Sequence, residues 1–137
     1  MEDSPAIRQI VQDWFAAASK GDASVVDRHV SLDPRTRLVG SDPAEWLQGG
    51  ADIAAFLRAE AEGSGGAATF TPADVEAYEE GSVGWAAARV TITLPDGASV
   101  SPRWTAVFHR EGETWKSVQT HASIGVGNEQ VGWTYQS

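Results

Sequence analysis

The sequence contains no cysteine in its 137 residues, which excludes disulfide bonds and thiolate chemistry. Basic residues are scarce: 10 Lys and Arg stand against 19 Asp and Glu, a formal net charge of -9. We therefore predict no nucleic-acid partner, because phosphate binding needs a basic surface, and no anionic membrane as a partner. No run approaches the roughly 20 apolar residues that span a bilayer, and the acidic N-terminus does not resemble a signal peptide. The default expectation is a cytoplasmic protein.

Motifs for nucleotides and metals are also missing. The sequence has no GxGxxG and no GxxxxGK[ST], and the glycines of GVGNE follow the last predicted strand without opening a helix. The three histidines, His29, His109 and His121, lie on different predicted elements and show no HxH or HxxxH spacing. We therefore expect neither a cofactor nor a metal.

What is present is an ordinary globular composition, with 42% hydrophobic residues and six tryptophans. A chain of this length can bury roughly two-thirds of the surface that its unfolded form exposes. We therefore predict a single domain over residues 1–137.

Hydrophobic spacing divides the chain into a helical part, about residues 4–63, and a strand-rich part. Ser4 and Pro5 are typical of a helix start, and apolar residues then recur at three- and four-residue spacing until Gly21. Asp22 can cap a second helix that is closed by Pro34, and a third helix ends at Gly63. TRLVG between them is a short strand candidate, and SDPAEW is a turn.

From Thr69 onwards, hydrophobic residues recur at every second position, the period of a β-strand. Four strand candidates over about 69–126 are separated by the turn signals EEGS, PDG and REGE, and a C-terminal tail covers 127–137. Helices followed by strands predict an α+β fold with a curved antiparallel sheet wrapped over the helices.

General acid–base catalysis is the chemistry that these residues could best support. The candidates are His121 and two carboxylates of the SDPAEW turn, Asp42 and Glu45, with Arg103 to stabilise an oxyanion. Each also has a structural explanation, since His121 can bond within the sheet, Asp42 can shape the turn and Arg103 can face outward. His121 and Ser123 share a strand face about 7 Å apart, too far for a direct bond.

The sheet face that carries His121 is ambiguous. Strict alternation groups it with Trp115, Ser117 and Gln119, opposite the more apolar set that includes Ala122. A bulge near Gly125 could exchange the faces locally. We place His121 in the pocket.

Several stretches resemble the nuclear transport factor 2-like superfamily, and the SnoaL-like domains in particular. These stretches are VGSDPAEWLQGGADI, RWTAVFHREGETWKSVQTHAS and IGVGNEQVG. The resemblance implies a cone-shaped fold, a pocket between sheet and helices, and homodimerisation through the outer sheet face. It implies no single activity, because the superfamily includes isomerases, dehydratases, cyclases and binding modules.

The family's catalytic residues do not carry over to this chain. Where ketosteroid isomerase has a helix tyrosine, the first helix here offers Trp14 and Phe15, and the fourth-strand aspartate of the SnoaL-type cyclases is absent between Val100 and His109. The two tyrosines, Tyr78 and Tyr135, lie elsewhere.

Our leading hypothesis is a homodimeric domain that binds a small apolar or amphipathic molecule in a tryptophan-rich pocket. The predicted apolar wall consists of Trp14, Trp46, Phe56 and Trp104. His121 or Arg103 would supply a polar anchor. The alternatives are a cofactor-free isomerase, dehydratase or cyclase with His121 or Asp42 as base, and a dimerisation or assembly module with a packed interior.

Overall fold

The computed structural model describes residues 1–133 of the chain, which form helices on one face of a curved sheet. The helices are α1 Pro5–Ser19, α2 Ser24–His29 and α3 Gly50–Ser64. The strands are β1 Glu2–Asp3, β2 Arg37–Val39, β3 Trp46–Gln48, β4 Thr69–Glu80, β5 Val83–Thr93, β6 Ser99–Val100, β7 Arg103–Glu111 and β8 Thr114–Ser123. A short 3-10 turn, Asn128–Val131, follows in the predicted tail, whose last four residues lie outside the described part.

Helix α1 begins where the sequence predicts. The Ser4 hydroxyl accepts a hydrogen bond from the Ile7 backbone N–H at 3.1 Å and donates one to the Glu79 carboxylate at 2.6 Å. The first bond satisfies one of the free N–H groups of the first helical turn, and the second ties the helix start to strand β4. Helix α1 is therefore held at a defined position on the sheet.

Helix α2 contains the residues predicted for it, from Val25 to His29, and ends before Pro34. The prediction that Asp22 caps it was wrong, because the N-cap is Ala23; the Asp22 carboxylate instead accepts from the Ser24 N–H at 2.9 Å, from a position just outside the helix. The His29 ring nitrogen Nδ1 lies 3.0 Å from the Trp115 carbonyl oxygen, so this helix end is linked to β8.

The predicted meander is present as the antiparallel neighbours β4, β5, β7 and β8. Two features differ from the prediction. The third strand candidate is divided in two, since β6 ends at Val100 and β7 begins at Arg103. Pro102 lies between the two strands, and because proline has no backbone N–H it cannot donate a hydrogen bond to the neighbouring strand. Beyond β8, the sheet continues with β2, which runs parallel to β8, and then with the unpredicted strand β3.

Two irregularities bend the long strands. In β4 the pairing with β5 shifts between Ala73 and Glu76, and Asp74 there has a positive φ of 52°. In the β7–β8 hairpin the register shifts between Val107 and Phe108. Bulges of this kind bend a strand and increase its twist, which helps the sheet to curve towards the helices.

The apolar core consists of two clusters with Trp14 of α1 in contact with both. The larger cluster joins α1 to β4, β5, β7 and β8, and there α1 approaches β5 so closely that a Cβ on Gly84 would lie 2.2 Å from Ile7 Cδ1. The smaller cluster joins α2, α3 and β2. Of the helices in residues 1–133, none is long and apolar enough to cross a membrane.

Candidate functional site

A cavity of about 450 Å³ lies between the helix-covered face of the sheet and helices α1 and α3. Its volume is within the range of small-molecule sites, roughly 300–1,000 Å³. The sheet contributes Leu38, Val39, Phe70, Val90, Ile92, Val100, Trp104, Thr120 and Ala122. The helices contribute Trp14, Phe15, Phe56, Leu57 and Glu60. Connecting segments close the sides with Gly40, Ser41, Glu45, Pro102 and Ile124.

Three of the four residues predicted for the apolar wall, Trp14, Phe56 and Trp104, line this cavity. Trp104 is buried and meets the ring of Phe15 edge to face, with ring centroids 5.4 Å apart. Edge-to-face pairs contribute about 0.5–1.5 kcal/mol beyond their buried area, so this contact favours the observed orientation of the Trp104 ring. That these residues contact a ligand stays a prediction.

The fourth predicted wall residue, Trp46, lies outside the cavity. It starts strand β3, pairs with Val39 of β2, and leaves 65% of its surface exposed. The Arg37 guanidinium lies over its ring, 4.8 Å from the centroid, a cation–π contact at the sheet edge. The prediction failed because SDPAEW does not end in a turn: its last residue opens a strand that turns the indole away from the cavity.

A bulge in β8 decides which side chains of that strand enter the cavity. Phe108 of β7 pairs with Ser117, whereas the preceding Val107 pairs with Gln119, so Val118 has no partner. One extra residue exchanges the two faces of everything that follows it. Before the bulge Ser117 is buried, and after it Thr120 and Ala122 line the cavity.

His121 therefore lies on the outer face, opposite to its predicted position. It is exposed and pairs with Thr105, whose neighbour Trp104 points into the core. The anticipated bulge exists, but it lies three residues before the histidine and not near Gly125.

Arg103 shares that outer face and is not a cavity residue either. Its guanidinium Nη2 donates an exposed hydrogen bond to the Ser123 hydroxyl at 3.2 Å. Ser123 of β8 is the residue directly opposite Arg103 of β7. Ser123 is thus bonded to Arg103 and not to His121, which agrees with the prediction that the serine and the histidine do not form a catalytic couple.

Asp42 shapes its turn and does not reach the cavity. Its carboxylate accepts from the Ala44 backbone N–H at 2.8 Å, and its carbonyl oxygen accepts from the Glu45 N–H at 2.9 Å. The residue is exposed, so the geometry is that of an Asx turn.

Glu45, the other carboxylate of this turn, does line the cavity. Its Oε1 accepts from the Asp42 backbone N–H at 2.9 Å. The side chain also lies against Gly40, where an added Cβ would come within 2.6 Å of that oxygen. Turn and glycine together hold the Glu45 carboxylate in place.

Glu60 of α3 is an ionisable cavity residue that was not predicted from the sequence. It lines the cavity beside Phe56 and Leu57, four and three residues before it. Since residues three and four apart share a helix face, extending the apolar stripe of α3 by one turn would have found it.

The electrostatics of Glu60 are unusual for a carboxylate at a helix surface. Partial burial, and then the negative charge of Glu45, raise the pKa of Glu60 above its ordinary value. Within residues 1–133 neither carboxylate forms an ion pair. The cavity is thus an apolar hollow with two unneutralised carboxylates at one side.

The sequence profile of the SnoaL-like domain family matches residues 7–127, nearly the whole chain. The comparison with curated proteins found no match.

Solved structures with the same fold include three relatives of low sequence identity. An NTF2-like protein of unknown function from Pseudomonas putida KT2440 superposes with a TM-score of 0.77 at 18% identity, covering 90% of this chain and 87% of that one. A "putative dehydratase from the NTF2-like family" of Streptomyces avermitilis gives 0.73 at 16%, covering 89% and 95%. An NTF2-like superfamily protein from Salmonella enterica serovar Typhimurium gives 0.69 at 18%, covering 94% of each chain. At these identities the likeness establishes the fold alone.

Proposed function

The chain belongs to the SnoaL-like domain family, and from this premise we propose that it is a homodimeric domain that binds a small apolar or amphipathic molecule. The observation that carries the proposal is the cavity of about 450 Å³ between sheet and helices. Apolar and aromatic side chains form most of its lining, and a few polar groups converge at one side, which is the usual composition of a ligand site. An assembly module with a packed interior has no need of such a cavity.

Nile red binding tests the proposal, because this neutral dye becomes fluorescent in apolar surroundings. Ala122 lines the cavity between Trp104 and Thr120, so Ala122→Phe should fill part of it and weaken dye binding at least about tenfold. Ala55 is an exposed alanine on α3 that does not line the cavity, and Ala55→Phe is the matched control. Equal dye binding by all three proteins would place the dye elsewhere and refute the proposal.

The dimer would use the outer face of the sheet. Val83, Val107 and Val118 lie there along an open groove of about 400 Å³, and 41% of the Val83 surface is exposed. Burying such apolar area is the main driving force for association. Light scattering across a concentration series should give twice the mass of 14.6 kDa, and Val107→Glu should give a folded monomer.

A second candidate function is a cofactor-free isomerase, dehydratase or cyclase, and one observation favours it. Glu60 and Glu45 share the cavity, and the raised pKa of Glu60 brings its proton transfer closer to neutral pH. The relative from Streptomyces avermitilis carries a dehydratase name. In this case Glu60 replaces His121 and Asp42 as the acid–base group. A turnover assay with cyclic ketone and alcohol substrates should then show loss of activity in Glu60→Gln without any loss of stability.

A further inference from the structure

The charges around the cavity are all of one sign. In the described part of the chain, the ionisable side chains that line it are Glu45 and Glu60, and no basic side chain joins them. Two basic side chains of strands that border the cavity, Arg37 of β2 and Arg103 of β7, are engaged elsewhere, with Trp46 and Ser123 respectively.

An apolar ligand that fills this cavity removes water from both carboxylates. Partly desolvated negative charges that lack a partner are costly, and they repel each other. The Glu60 residue is exposed, but partial burial of its carboxyl group and the charge of Glu45 raise the pKa of that group, so both effects act on it without a ligand. A ligand that brings a positive charge to this side would relieve both.

The Glu45 carboxylate is already held in one orientation, in which it can accept a hydrogen bond from a positively charged group. The Asp42 backbone N–H holds its Oε1 at 2.9 Å, and contact with Gly40 restricts the rest of the side chain. A carboxylate that is already oriented loses little side-chain entropy when it accepts a hydrogen bond from a ligand.

We propose that the natural ligand of this cavity is an apolar molecule with a protonated amine at one end, and that the amine is bound between Glu45 and Glu60. This inference rests on the proposed ligand-binding function and specifies its chemical class. The apolar body would lie along Trp104 and Ala122, and the ammonium group would donate to the two carboxylates. Charge-assisted hydrogen bonds are about twice as strong as neutral ones, so the two carboxylates would select against neutral and anionic analogues.

A divalent metal is a poorer occupant of the same position. Calcium takes 6–8 oxygen ligands, and magnesium requires a regular octahedron of oxygens. The neighbours of Glu60 in the cavity wall, Phe56 and Leu57, are apolar and provide none.

Three probes of equal chain length test the inference by isothermal titration calorimetry at pH 7: octylamine, octanol and octanoate. Octylamine is cationic at this pH. We expect it to bind about tenfold more tightly than octanol, from the difference between a charged and a neutral hydrogen bond, and octanoate to bind most weakly.

The variants separate the carboxylate pair from the overall negative charge of the protein. Glu60→Gln and Glu45→Gln should each reduce the preference for octylamine over octanol to about twofold or less, by removing one charge-assisted bond. Glu62 lies on the same helix, is exposed and does not line the cavity, so Glu62→Gln is the matched control and should keep the full preference.

The outcomes distinguish this inference from the function on which it rests. If octanol binds as tightly as octylamine, the cavity is a ligand site without charge selection and the inference is wrong. If the preference for octylamine persists in Glu60→Gln and Glu45→Gln, it comes from the general charge and the inference is also wrong. If none of the probes binds and Nile red does not bind, the proposed function fails as well.

Discussion

Two alanines on the same face of the sheet provide a direct test of whether the cavity is open in solution. Ala122 of β8 lines the cavity, whereas Ala106 of β7, one row away, is buried in the larger core cluster and does not line it. The same substitution, Ala→Leu, adds three carbons at each position. At one position the added carbons enter open space, and at the other they enter a packed core.

The two substitutions are expected to change the free energy of unfolding in opposite directions. Each buried CH₂ contributes about 0.8 kcal/mol, and fixing a leucine side chain costs about 0.5–1 kcal/mol. Ala122→Leu should therefore be neutral or stabilise the fold by up to about 2 kcal/mol. Ala106→Leu has no space for the added carbons and should destabilise it by about 1–3 kcal/mol.

Urea unfolding followed by far-UV circular dichroism measures the difference. With a slope of about 1–3 kcal/mol per molar urea, the two midpoints should differ by at least about 0.3–1 M. All proteins should be compared at one concentration, because dimerisation would add to the apparent stability. An equal loss of stability in both variants would mean that the hollow beside Ala122 is filled, and both the cavity and the ligand argument would then fail.

Two further predictions concern α1 and α3. Gly84→Ala should destabilise the fold by about 1–3 kcal/mol in urea unfolding, because the added Cβ would collide with Ile7 Cδ1 and the Tyr78 carbonyl oxygen. Ile7→Val in the Gly84→Ala background should recover part of this loss. If the effects of the two substitutions simply add, the proposed contact between residues 7 and 84 is contradicted. Because the pKa of Glu60 is raised in the folded state, the native protein keeps that proton to a higher pH than the unfolded chain, and stability falls as pH rises through the folded pKa. Glu60→Gln should therefore be more stable than wild type at pH 7 and lose this advantage below about pH 4. If the two proteins differ in stability by the same amount at both pH values, the raised pKa of Glu60 is refuted.

Local features of the structure could be predicted well from the sequence. The cap at Ser4, the apolar stripe of α1 and the turns between the long strands depend on residues that are close together in the chain. Helix and strand periods express which side chains must leave water, and for this reason they are visible in one sequence without knowledge of its partners.

Parts of the site could also be predicted. Trp14, Phe56 and Trp104, three of the four residues predicted for the apolar wall, line the cavity. Glu45, a candidate carboxylate of the SDPAEW turn, lines it as well. Glu60 was within reach of the same reasoning, since it continues the stripe of α3, but a glutamate does not stand out as a cavity residue unless the sheet opposite to it is known.

Long-range pairing decided the rest. The sequence by itself determined the helices, the meander and the cavity positions of Trp14, Phe56 and Trp104, because these follow from local periodicity. The tertiary structure alone decided that His121 faces outward, because the unpaired Val118 depends on how β8 aligns with β7. The tertiary structure also decided that Trp46 lies outside the cavity, because Trp46 belongs to β3, and β3 forms by pairing with β2. The register between strands is set by contacts across the fold, and a shift of one residue reverses which side chains a ligand can reach.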